Sequence, residues 1–174
     1  ARADRGNYPV LSFADEHGDE HDFIPSLTAL CDGELVHGFA ARQAAHQGAP
    51  LLRSLKRVLA SPTLTAATAV LLGERTFSVL EILTSYLHHL KAELAKQDLD
   101  VSRARAVVAV PAHAYGAQRL LTLEAFRAAG FCVAAMLNEP SAAGFEYTHR
   151  KATTVSSKRT RVLVYDLGGG TFDT

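Results

Sequence analysis

Between residues 106 and 147 the chain alternates apolar strand patterns with helical ones, and this alternation limits the fold more than any other feature. Ala106-Val-Val-Ala-Val110 is a continuous apolar run closed by Pro111, and a helical pattern from Ala114 to Ala129 stops at Gly130. Phe131 to Leu137 is a second apolar run. Glu139 to Tyr147 is a second helix, with Pro140 in the first turn, where a missing N–H is tolerated. Val162 to Tyr165 supplies a third strand pattern. Strand, helix, strand, helix, strand predicts an α/β fold whose βαβ units build a largely parallel sheet of buried strands covered by helices. Functional groups in such sheets gather beyond the carboxyl ends of the strands. Three polar constellations stand there: Pro111-Ala-His113, Asn138-Glu139-Pro140 and Asp166-Leu-Gly-Gly-Gly.

The last of these is the most specific. Gly168, Gly169 and Gly170 let the backbone adopt φ > 0 and turn amide N–H groups toward a ligand, an arrangement suited to phosphate oxygens. Asp166 at the strand end could hold a hydrated divalent cation, and Thr171 adds a hydroxyl at the same rim. An unliganded hairpin turn is the plain alternative. The bracketing Asp-Leu and Thr-Phe-Asp favour a phosphate cradle. No glycine precedes a lysine, which excludes a Walker A loop, and no Gly-x-Gly-x-x-Gly opens a helix. The glycines lead into a strand, so the cradle is a β-hairpin.

In the first half, residues 8 to 13 and 23 to 31 read as strands around the polar turn Asp15 to Asp22. His17 and His21 in that turn invite a metal reading, but with no helix to align them a solvated loop is expected. Asp32-Gly33 turns the chain into the hairpin partner Glu34 to His37. Helical patterns follow from Ala40 to His46 and from Leu51 to Leu59, and residues 60 to 75 show no period. Lys56 and Arg57 read by themselves as surface bases. Ser78-Val-Leu-Glu81 is a capping box. It opens a scaffold helix with Val79, Ile82, Leu83, Tyr86, Leu87, Leu90 and Leu94 on one stripe, ending near Gln97. His88 and His89 point about 100° apart on it and are poor co-ligands. The basic stretch Thr148 to Arg161 has no interleaved aromatics and reads as a solvated connection.

Lys plus Arg equals Asp plus Glu at 18 each, so the charge balance points to neither nucleic acid nor an acidic membrane surface. Cys31 and Cys132 are too few for a disulfide framework and read as small core residues in a reducing compartment. No apolar run is long enough to span a bilayer as a helix, and no signal-peptide layout is present; the cytoplasm is the expected location. The chain lacks an initiator Met and stops within a strand pattern, so a piece of a longer polypeptide is expected.

Val164-Tyr-Asp-Leu-Gly-Gly-Gly-Thr-Phe-Asp173 resembles the second phosphate loop of the Hsp70 family of chaperones. Four further segments agree in order. Phe23-Ile-Pro-Ser26 is similar to the family's TPS strand and Ser54-Leu-Lys-Arg57 to its KR segment. Val108-Ala-Val-Pro-Ala112 with Ala117-Gln-Arg119 and Ala128-Ala-Gly130 is similar to its VPA, AQR and AG run, and Leu137 to Ala143 to its NEPTAA. The resemblance implies lobe I of an actin-like ATPase domain with a ribonuclease H-like mixed sheet. It implies N-terminal strands, hairpin and helices over 8–60, a reduced upper subdomain and long helix over 61–100, a βαβα unit over 101–150 and the phosphate loop over 161–174. Lys56 would contact the γ-phosphate and orient the attacking water. Glu139 and Asp166 would hold Mg²⁺ and its waters, Gly168 to Gly170 would wrap phosphates, and Thr171 would touch the γ-phosphate. Asp166, Thr171 and Asp173 would line potassium sites, and Pro111 with Arg119 would relay nucleotide state to a peptide-binding domain. ATP or ADP would be the ligand, and client polypeptides and co-chaperones would be the partners through domains beyond this chain; neither nucleic acid nor membrane is expected.

Departures from the family pattern are informative. The family's first phosphate loop would lie before residue 1, and the stretch 58–77 is short, which puts contacts with exchange factors in question. His113-Ala114 stands where the family has Tyr-Phe. An actin-like filament protein, a sugar kinase of the same superfamily and a non-catalytic nucleotide sensor are the competing readings. The leading one requires Lys56, Glu139 and Asp166 to face one hollow.

Overall fold

A computed structural model describes residue 2, residues 8–97, 100–101, 103–150 and 163–164, and the backbone of 166–167 and 172–173. The chain begins with a short hairpin of β1 (Phe13–Ala14) and β2 (Glu20–His21), smaller than the predicted strand 8–13 and running into the predicted turn. Asp15 organises it. Its carboxylate is only 4% exposed and accepts from the backbone N–H of His17 and Asp19, from His21 Nε2 at 3.0 Å and from Arg42 Nη2 at 3.1 Å. His21, followed by the backbone N–H groups and Arg42, holds the Asp15 carboxyl well below the usual range against the opposing effect of burial. The turn is the solvated loop expected, with residues 16–20 and 22 exposed, and is anchored at its ends by Asp15 and by His21, which also packs on the ring of Phe39.

Three antiparallel strands follow, β3 (Thr28–Cys31), β4 (Glu34–His37) and later β5 (Leu51–Leu52), with β3 in the centre. The expected strand 23–31 starts late because Pro25 has no N–H for a ladder. Asp32 and Gly33, at φ +51° and +82°, form the expected tight hairpin turn. Helix α1 (Gly38–His46) packs on this sheet. The helix expected over 51–59 is divided: Leu51 and Leu52 pair with Ala29 and Thr28, and only α2 (Leu55–Leu59) is helical. The unperiodic stretch 60–75 contains a strand and leads into a hairpin, β6 (Ala69–Leu72) with β7 (Arg75–Ser78). Its turn docks on the β3–β4 turn, with Arg75 donating to the Gly33 carbonyl.

Helix α3 (Val79–Ala95) is the scaffold that the capping box predicts. Glu81 N donates to Ser78 Oγ at 3.2 Å, and Ser78 N donates to Glu81 Oε2 at 2.7 Å. Val79 and Ile82 are fully buried, each worth about 1.5–3 kcal/mol of apolar burial. They join Leu55 and Leu59 of α2 and residues of the next unit in the main core.

That unit is βαβα: β8 (Arg105–Val110), α4 (Gly116–Ala128), β9 (Cys132–Asn138) and α5 (Glu139–Arg150). The strands are parallel, as predicted. Gly130, at φ +76°, ends the helical segment as expected. Helix α5 runs past Tyr147 into the stretch expected to be a connection. Strand burial differs from expectation. Val108 and Val110 are buried while Val107 is 60% exposed, no β9 residue is fully buried, and Cys132 is exposed rather than in the core. Among the described residues one face of this two-stranded sheet packs on helices and the other is open, and the remaining pairings are antiparallel. The α/β expectation holds as a mixed architecture. In β9, Ala134 has no opposite residue: Ala106 pairs with Val133 but Val107 with Ala135.

Leu163 and Val164 carry no strand pairing, so the strand expected over 162–165 is displaced. The ladder there is β10 (Asp166–Leu167) with β11 (Phe172–Asp173), antiparallel. Residues 151–161 of the basic stretch lie outside the described residues. No helix among the described residues is long and apolar enough to cross a membrane.

Candidate functional site

The parallel register sets Val110 opposite Asn138, so β8 and β9 release the chain at the same end, where Pro111 and Glu139 follow. Two of the expected constellations thereby become neighbours. Glu139 opens α5, and its carboxylate reaches across the fold to α2. Lys56 Nζ donates to Glu139 Oε2 at 2.9 Å and Oε1 at 3.1 Å, across 83 residues of sequence. The side chains are 38% and 25% exposed, so solvent reaches both groups of the pair. Lys56 is thus more than the surface base its local sequence suggests.

The same strand ends hold a second network. Arg119, in the first turn of α4, donates from Nη2 to Asn138 Oδ1 at 2.7 Å and to the Ala112 carbonyl at 3.3 Å, with the Pro111 carbonyl at 3.5 Å. Its Nε donates to the Ala114 carbonyl at 3.1 Å. Pro111 and Arg119, paired only by resemblance in the sequence, are therefore in contact. Asn138 joins them, a partner that the sequence placed at the strand end without naming its contact. Since Asn138 and Glu139 are adjacent, the arginine network and the lysine pair are one bond apart along the chain. A cation and a carboxylate with exposed edges, backed by a fixed guanidinium, can bind an anion and a hydrated cation side by side.

The β10–β11 ladder pairs Asp166 with Asp173 and Leu167 with Phe172 in antiparallel register. Gly168, Gly169, Gly170 and Thr171, and the side chains of Asp166 and Asp173, lie outside the described residues. Of the three residues required to face one hollow, the structure brings Lys56 and Glu139 together. His17 and His21 do not converge on a shared ligand: His21 binds Asp15, and among the described residues no three His, Cys, Asp or Glu side chains are placed to hold a metal.

A sequence profile described as Hsp70 protein matches residues 25–174. The chaperone protein DnaK of Mesomycoplasma hyopneumoniae is 35% identical over 149 residues, covering 86% of this chain and 23% of the relative. The protein of the same name from Mycoplasmopsis pulmonis is 34% identical over 149 residues, with the same coverage. That of Halobacterium salinarum is 36% identical over 169 residues, covering 97% of this chain and 25% of the relative. The chain thus spans about a quarter of the length of these relatives. With the profile covering both polar constellations at the strand ends, the chain belongs to the Hsp70 family.

Proposed function

We propose that the complete polypeptide is an ATP-driven protein-folding chaperone and that residues 1–174 form part of lobe I of its actin-like ATPase domain. The observation that carries this reading is the Lys56–Glu139 pair, assembled from α2 and α5 at the carboxyl end of the parallel strands. A triphosphate and its cation fit such a donor set: the ammonium is matched to phosphate oxygens, and the carboxylate accepts from metal-bound water. Mg²⁺ bound to the nucleotide supplies charge neutralisation at the phosphates. Lys56 binds the terminal phosphate and orients the attacking water. Glu139 and Asp166 would hold the cation through its waters. Gly168 to Gly170 wrap phosphates, Thr171 contacts the terminal one, and Asp166, Thr171 and Asp173 line potassium sites. Pro111 and Arg119, tied through Asn138 to the adjoining Glu139, report the occupancy of the site to a peptide-binding domain, where client polypeptides and co-chaperones act.

The test is Lys56→Ala in the complete protein, read by single-turnover ATP hydrolysis and by calorimetric nucleotide binding. Retained binding with turnover lowered about 100-fold supports the reading. Unchanged turnover sinks it, and a parent protein without turnover favours a nucleotide sensor instead. Residues 1–174 alone should bind Mg-ATP weaker than micromolar by isothermal titration.

A further inference from the structure

An imidazole pair, one ring buried and one half-buried, joins two halves of the described fold. His37, 5% exposed, ends β4 just before α1. Its Nδ1 lies 3.0 Å from Thr28 Oγ1 in β3 and its Nε2 lies 2.8 Å from Ser85 Oγ in α3. The ring of Tyr86 meets it edge-on at 5.7 Å, and the ring of His89 lies at 5.9 Å. The groups facing His37 are the Thr28 hydroxyl from β3, the backbone N-terminus of α1, and Ser85, Tyr86 and His89 from α3. None of these is a carboxylate. His89 faces Glu93 and Lys96 on its own helix and, with Asp15, Glu16 and Gln43, lines a cleft of about 240 Å³ between β1, α1 and α3. The acids around that cleft are already partnered, Glu93 by Lys96 at 2.7 Å and Asp15 and Glu16 by Arg42.

We propose that the His37–His89 pair is an acid-opened latch between α3 and the β3–β4–β5 sheet with α1, and that its opening loosens the hold on α2 and Lys56. Neutral rings let the junction close. The two hydroxyls can turn to accept from a charged ring, so the hydrogen bonds survive protonation. What opposes closure is desolvation of the charge, repulsion between two imidazolium rings and the positive end of α1. Burial, with the charge of His89 second, pushes His37 down to about 4. Burial also lowers His89, with Glu93 raising it and Lys96 lowering it further. The cleft gives protons and water a route to His89.

The link to Lys56 runs through one register position. Thr28 stands between His37 on β4 and Leu52 on β5, and Leu52 leads through Arg53 and Ser54 into α2. On its other side α2 packs Leu55 and Leu59 into the core with Val79, Ile82 and Leu83 of α3. Held from both sides, α2 shifts when the sheet and α3 part.

Hydrogen exchange read by mass spectrometry on the complete protein without nucleotide, corrected for the intrinsic pH dependence of exchange, tests this. Wild type should lose protection about 10-fold or more between pH 7 and pH 5 in peptides covering 26–37, 51–60 and 79–97, while α4 keeps its protection. His37→Gln should flatten that dependence. His89→Gln, which alters a half-buried ring and keeps the reading available if His37→Gln does not fold, should reduce the loss at least threefold. An acid response of unchanged size in the variant that folds, or a loss spread evenly through α4, overturns the latch.

Discussion

Helices α3 and α5 each carry a glutamate in the first turn, and the two carboxylates have opposite tasks. Glu81 turns back onto the N–H of Ser78 and closes a capping box, and α3 buries four side chains. Glu139 turns away from its own helix to Lys56, and α5 buries none, leaving Phe145 64% and Tyr147 47% exposed. A helix end whose acid satisfies its own backbone has nothing left for a ligand. One whose acid reaches a distant cation has forgone that local stabilisation. The position of a carboxylate in a first turn does not distinguish the two; its partner does.

Four experiments would break or sharpen that contrast. Ile82→Ala, beneath α3, should cost about 2–5 kcal/mol in denaturant unfolding and leave the affinity of the folded protein for nucleotide unchanged. Glu139→Gln should do the reverse in the complete protein, lowering single-turnover hydrolysis about 100-fold. Its stability should change by less than about 1 kcal/mol, because the ion pair it removes is partly exposed. A large stability loss there would make Glu139 a scaffold residue like Glu81. Ser78→Ala should cost about 1 kcal/mol and nothing in hydrolysis. Phe145→Ser should leave stability within about 0.5 kcal/mol.

The contact of His37 with α3 adds a pH dependence. His37 in the folded chain titrates near 4, below its ordinary 6.5, so the unfolded chain binds the extra proton between those values. Its contribution to stability is complete above about pH 6.5 and is lost as the pH falls toward 4. Urea titrations of wild type and His37→Gln across that window should converge at the acid end, and parallel curves would remove His37 from the account.

Residues whose partners are near in sequence were legible. Ser78 and Glu81 are three apart, and the α3 stripe follows one period, so both could be read before any fold was known. The parallel β8–β9 pair was legible from alternation. Its half-open burial was not, because a continuous apolar run reads the same whether one face or both are covered. Leu51 and Leu52 fit a helical stripe as well as a strand, and only the edge of β3 decides between them. Lys56–Glu139 spans 83 residues, and no local pattern encodes it; family resemblance nominated both ends without their contact. His37 read only as the end of a hairpin strand and His89 only as the neighbour of His88, and their meeting needs the sheet to lie on α3.

The unmatched Ala134 is the spare residue of a bulge. Beyond it β9 runs one step ahead of β8, which is why Asn138 rather than Leu137 stands opposite Val110. Val133 and Ala135 on either side of it already face consecutive residues of β8, so removing that alanine would close the bulge and leave Asn138 opposite Val110 and Glu139 where it stands. The reach of the acid to its lysine is thereby insulated from a change of one residue in the strand that carries it.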